Sequence, residues 1–107
     1  MSADSNREHV RIQTDALVDY TGTEVLLFHK IENLSLGGLS IFSATVEPEG
    51  TQVYLSLNFP DLNASVELEG EVVWSRDQAP KEMGIKFINL SAQDEEILTR
   101  YIEARAQ

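Results

Sequence analysis

Ala64-Ser65-Val66-Glu67-Leu68-Glu69-Gly70-Glu71-Val72-Val73-Trp74-Ser75 is the stretch on which the fold turns. Val66, Leu68, Val72 and Trp74 share one face with Gly70, and Glu67, Glu69 and Glu71 line the other. A period of two belongs to a β-strand, whose successive side chains leave on opposite sides. Three carboxylates on one face require water, so this strand has a wet side and a core side. Gly70 interrupts the apolar side and is read as a bulge or bend of the kind barrels use at corners.

The same period recurs on both flanks. Upstream, Val53, Leu55, Leu57 and Phe59 alternate with Gln52, Tyr54, Ser56 and Asn58, and Pro60-Asp61-Leu62-Asn63 breaks the run. Downstream, a polar loop containing Pro80 leads into Met83, Ile85 and Phe87, again at alternate positions. Nearer the start, Ala16, Val18 and Tyr20 alternate, and Thr21-Gly22-Thr23 turns the chain. Val25-Leu26-Leu27-Phe28 is a short apolar run and predicts a strand buried on much of its surface. Leu39-Ser40-Ile41-Phe42-Ser43 is a further short strand, and Val46-Glu47-Pro48-Glu49-Gly50 a loop. At the end, Ser91 is a helix N-cap with Asp94 three residues on, and Ile97, Leu98, Tyr101 and Ile102 form an apolar stripe. Six strands followed by one helix predict an all-β protein: a barrel or strongly curled sheet, antiparallel, with a C-terminal α-helix over one end.

A length of 107 residues suits a single domain, with a flexible lead-in at 1–11, a barrel at 12–90 and a helix at 91–105. No cysteine is present, so disulfides and thiolate metal sites are excluded. The first eight residues are polar, and no apolar run approaches the ~20 residues of a membrane helix, so a cytoplasmic protein without membrane insertion is expected. Eighteen acids against eight bases give a formal charge of −10, which repels DNA and RNA. No Gly-x-Ser-x-Gly elbow surrounds any serine, and the two histidines, His9 and His29, have no metal-ligand spacing; no enzyme and no metal are expected. Three Asn-x-Ser triplets, at Asn33, Asn63 and Asn89, are read as chance or as turn and cap chemistry.

Against that acidic background two bases cluster. Arg7 and Arg11 form Arg-x-x-x-Arg, and each guanidinium can bond two phosphate oxygens, or guanine O6 and N7, in a planar bidentate manner. Arg11 stands 22 residues before Asn33, within Ile31-Glu32-Asn33-Leu34-Ser35-Leu36-Gly37-Gly38. There an Asn carboxamide and a Ser hydroxyl, two residues apart, can project from one side of an extended chain, and the glycines allow a tight turn or a close approach. By itself the stretch is a turn after a strand.

Together, Arg-x-x-x-Arg and Asn-x-Ser-x-x-Gly resemble the signature of the PilZ domain family, the bacterial receptors for cyclic di-GMP. The residues 70–75 and 83–87 also look like that family's fifth and sixth strands, so the resemblance runs over nearly the whole chain. It implies a six-stranded antiparallel barrel of split-barrel type with a C-terminal helix. It implies cyclic di-GMP as ligand, held by Arg7, Arg11, Asn33, Ser35 and Gly38, with no further cofactor. Gly37 and Trp74 are secondary candidates, Trp74 because a rim position would set its ring beside a purine. Where many members of the family carry a second arginine next to the first, this chain has Glu8. The resemblance further implies an adaptor that orders its N-terminal segment on ligand binding and signals to an unidentified effector protein in motility or biofilm regulation. The alternative is a domain of the same fold that binds no nucleotide and docks on a motility, pilus or secretion component.

Overall fold

A computed structural model describes residues 11–105. The strands are β1 (Leu17–Thr21), β2 (Val25–Lys30), β3 (Asn33–Leu34), β4 (Gly38–Phe42), β5 (Gln52–Phe59), β6 (Ala64–Arg76) and β7 (Glu82–Ile88), followed by helix α1 (Ala92–Arg105). They form one antiparallel sheet in the order β2-β1-β5-β6-β7-β4-β3. The all-β class with a C-terminal helix is as expected. The count is seven rather than six, because the Asn33–Leu34 pair separates from β2 and makes its own two-residue ladder with β4. Of the barrel or strongly curled sheet expected, the structure is the curled sheet, without a full closing ladder among the described residues. The chain before β1 is tied to edge strand β3 by one isolated bridge, in which Ile12 N–H donates to Leu34 O and Leu34 N–H to Ile12 O, both at 2.9 Å. A second tie runs from the His29 ring Nε2 to Phe42 O at 2.6 Å.

The alternating residues fill the inside. Val18, Tyr20, Val53, Leu55, Leu57, Phe59, Val66, Leu68, Val72, Met83, Ile85 and Phe87 are all buried. The wet face is equally clear, since Glu67 and Glu69 are exposed. The helix caps the core as its stripe predicted, with Leu98, Tyr101 and Ile102 buried. Ser91 Oγ accepts from Asp94 N–H at 3.1 Å, the expected N-cap bond. The Tyr101 ring lies 4.4 Å from that of Phe59, and its hydroxyl is hydrogen-bonded to Thr14 Oγ1. Asn63 and Asn89 take left-handed backbone angles, φ 50° and 56°, so two of the three Asn-x-Ser triplets are turn chemistry.

Three local readings change. The bulge in β6 falls between Val72 and Trp74, not at Gly70. Gly70 instead allows close packing, as a Cβ there would lie 2.5 Å from Ile85 Cγ2. The bulge also turns Trp74 out of the apolar face to which period-two counting assigns it, leaving it exposed. Finally, β2 is an edge strand whose Val25, Leu27 and Phe28 face solvent instead of being buried.

The loop of residues 43–51 holds a carboxylate that periodicity does not reveal. Glu47 is buried; it accepts hydrogen bonds from the Tyr20 hydroxyl, from Thr23 Oγ1 at 2.8 Å and from Thr23 N–H at 3.2 Å. Burial raises its pKa, but the bonds from Tyr20 and Thr23 outweigh that, and the carboxyl titrates below the ordinary glutamate range. Burial, then the bond to Glu47, pushes the Tyr20 phenol well above its usual value. A depressed folded-state pKa means stabilisation that is present above the unfolded pKa and lost as pH falls through the folded one. Glu47→Ala, which strands a buried phenol, is expected to cost about 2–3 kcal/mol at neutral pH. Urea unfolding at a series of pH values checks this: the acid-side decline in stability of the wild type should be shallower in Glu47→Gln.

Candidate functional site

The antiparallel bridge between Ile12 and Leu34 sets the register of everything beside it. Both bridge residues point into the core. Their neighbours Arg11 and Ser35 therefore stand across from each other on the outer side. The next strand is fixed by glycine. Gly38 pairs with Lys86, and a Cβ at Gly38 would lie 2.2 Å from the Ile85 carbonyl oxygen, so no other residue lets β4 lie this close to β7.

The turn leading into β4 is held by Ser35. Its N–H donates to Gly38 O at 2.8 Å, and its Oγ accepts from the N–H groups of Gly37 and Gly38, each at 3.2 Å. The hydroxyl expected to face a ligand is thus engaged in shaping the turn. Gly37 is tied to the sheet by its carbonyl, which accepts from Phe87 N–H at 2.9 Å.

These elements wall a cavity of about 550 Å³ on the outside of the sheet. Arg11, Asn33, Ser35, Gly37, Gly38 and Trp74 all line it. Six of the seven sequence candidates are therefore brought together, and Arg7 lies outside the described residues. Sequence reading missed Ser40, Glu82, Gly84 and Lys86, which also line it. Lys86 carried a usable signal: it is the polar member of Met83-Gly84-Ile85-Lys86-Phe87 and one of only eight bases. Glu82 is held by Arg76, Nη2 to Oε1 3.1 Å, and the same guanidinium bonds Pro80 O at 3.0 Å.

Trp74 is placed by what lies under it. A Cβ on Gly84 would come within 2.2 Å of the indole Nε1 and 2.4 Å of Cε2, so the ring rests directly on the Gly84 backbone. The cavity thus offers one aromatic ring, a guanidinium, an ammonium, a carboxamide and a glycine turn. Such a set suits a planar, anionic, hydrogen-bonding molecule.

The PilZ domain family model matches residues 5–104. An uncharacterised protein of Aquifex aeolicus (strain VF5) is 31% identical over 109 residues, which cover 92% of this chain and 49% of that protein. The chain thus spans about half the length of the curated relative it matches. Among solved structures, the Bacillus subtilis inhibitor of motility MotI/DgrA superposes with a TM-score of 0.79 at 20% identity, over 94% of this chain and 51% of that one. The PilZ domain of YcgR from Escherichia coli, solved with c-di-GMP, superposes with a TM-score of 0.68 at 18% identity, over 94% of this chain and 91% of that one. The chain belongs to the PilZ domain family.

Replacing Gly84 by Ala should lift the indole from its shelf. The expected result is a red-shifted tryptophan emission with the far-ultraviolet circular dichroism of the fold retained; Trp74 is the sole tryptophan, so the signal is unambiguous.

Proposed function

We propose that this PilZ domain is a cyclic di-GMP receptor that acts in the cytoplasm and passes its signal to a partner protein. The observation that supports this most directly is the convergence of Arg11, Asn33 and Trp74 on one cavity of ligand size. Arg11 supplies a planar fork for a phosphate or for guanine O6 and N7, and Lys86 adds charge without that geometry. The Asn33 carboxamide both donates and accepts, as a guanine edge requires. Trp74 offers a face on which a purine stacks. Ser35 acts indirectly, by holding the Gly37-Gly38 turn in shape. Arg7 would complete the set as a second fork arriving from the N-terminal segment, and its closing over the ligand is the change a partner would sense.

A second reading has its own support. Glu82 puts a carboxylate at the cavity, and the chain carries −10 overall, both adverse to a dianion. On that reading the fold docks on a motility, pilus or secretion component without nucleotide.

Calorimetric titration with cyclic di-GMP separates the two. Binding with quenching of Trp74 fluorescence is expected for the wild type. Arg11→Ala should weaken it at least about tenfold, the loss of one charge-assisted bidentate contact of about 1.5–3 kcal/mol. Unchanged affinity in Arg11→Ala would refute the site, and no response of the wild type at high micromolar nucleotide would favour the docking reading.

A further inference from the structure

The edge strand β2 carries the two most exposed large apolar side chains of the described residues, Phe28 and Leu27. Val25, Leu27 and Phe28 are 60%, 62% and 70% exposed. Phe28 is not a loose end: its backbone sits at φ 55°, and its N–H donates to Asp19 Oδ1 at 2.8 Å. Holding a bulky residue in the left-handed region is costly, and here the result is an aromatic ring held in water. Clustered exposed apolar groups of this kind mark interaction surfaces.

The face continues across the sheet. Val25 pairs with Thr21, Thr21 with Tyr54, and Tyr54 with Glu69, giving one cross-strand row over β2, β1, β5 and β6. In the row beside it Asp19 pairs with Ser56, and Ser56 with Glu67. A shallow groove of about 350 Å³ runs between Asp19, Tyr54, Glu67 and Glu69, and no basic residue lines it. The outer face therefore grades from apolar at β2, through a 60% exposed tyrosine, to carboxylates at β6. Three strand spacings give a width of about 14 Å, close to the diameter of one α-helix with its side chains.

We propose that this face docks a cationic amphipathic helix of a partner protein, its apolar stripe on Val25, Leu27 and Phe28 and its basic side chains over Tyr54 and against Glu67 and Glu69. Tyr54 presents a π-face for an ammonium or guanidinium, and the flanking carboxylates complete its coordination. Charge decides against a second copy of this chain as occupant: two such faces, each carrying several carboxylates on a chain of −10, repel. The face is separate from the nucleotide cavity but shares β6 with it, which carries Glu67 and Glu69 on one stretch and Trp74 on the next. The inference rests on the reading of the domain as a receptor that signals through a partner.

The test uses the full chain without nucleotide and a fluorescent 18-residue peptide of leucine and lysine at helical spacing. A leucine–glutamate peptide of the same pattern is the control. Anisotropy should show binding of the lysine peptide only. Leu27→Ser with Phe28→Asn should weaken it at least tenfold. Glu67→Gln with Glu69→Gln should weaken it several-fold and flatten its salt dependence. Arg11→Ala should leave it unchanged. No binding of the lysine peptide, or equal binding by the Leu27→Ser, Phe28→Asn variant, would overturn the docking face. So would a dimer of the wild type in sedimentation that this double substitution dissolves. Because Arg11→Ala and cyclic di-GMP titration report on the other cavity alone, failure of one reading leaves the other measurable.

Discussion

Two backbone hydrogen bonds between Ile12 and Leu34 hold together what the rest of the molecule makes possible. The sheet has two ends, β2 and β3, and a curled sheet with unpaired ends is an aggregation hazard. Here the chain just before β1 reaches back to β3 and makes one bridge. Ladder hydrogen bonds lie in the plane of the sheet, so this pairing leaves both faces of β3 free. A single pair closes the curl while leaving Asn33, Ser35 and the adjoining turn open to the cavity. Because the bridge is antiparallel with both members buried, it also dictates that Arg11 and Ser35 face outward together. Fold closure and site assembly are thus one event.

The core and the site divide the two faces of the same strands. Leu39, Ile41, Met83, Ile85 and Val72 look inward, and their alternates form the cavity wall. The wall is close-knit because glycine occupies it where two elements must touch: Gly38 against the Ile85 carbonyl and Gly84 under the Trp74 indole. Ser35 completes this by tying the turn with its own hydroxyl. Rigid backbone therefore supplies the shape, and only Arg11, Lys86, Asn33 and Trp74 are left to supply chemistry.

What was legible in the sequence follows from which constraints are local. Val53 to Phe59 and Val66 to Leu68 announced their faces because a period of two is a property of the strand itself. The N-cap at Ser91 and the stripe through Tyr101 were legible for the same reason. Val25 to Phe28 misled because an apolar run shows no period, and whether it lies inside a sheet or at its edge is decided by pairing partners far along the chain. Trp74 was assigned to the core face by counting, and one bulged residue at Val73 reversed it. Glu47 gave no sign at all: a glutamate in a Pro/Gly loop looks solvated until Tyr20 and Thr23 are known to converge on it. The position of Lys86 beside the glycine turn is set only by the β4–β7 register, which pairs it with Gly38, and the same register sends Glu82 to Phe42 at the other end of β4.

The overall acidity of the chain is a poor guide to its cavity. The residues lining it include two bases, Arg11 and Lys86, against one acid, Glu82, a local excess of +1 within a chain of −10. Glu82 is itself compensated by Arg76 at 3.1 Å. Glu71 sits opposite Lys86 in the β6–β7 register, which again places a base beside an acid. Glu67 and Glu69 lie on the outer face of β6 toward β5, and Asp94 and Glu95 on the first turn of α1; none of the four lines the cavity. Exposed charges more than about 8–10 Å away are largely screened at physiological salt. An arriving anion therefore meets a long-range repulsion that is mostly damped, then a short-range field set by two guanidinium or ammonium groups and one paired carboxylate. The distribution of charge over the two faces, more than its total, determines what each face can hold.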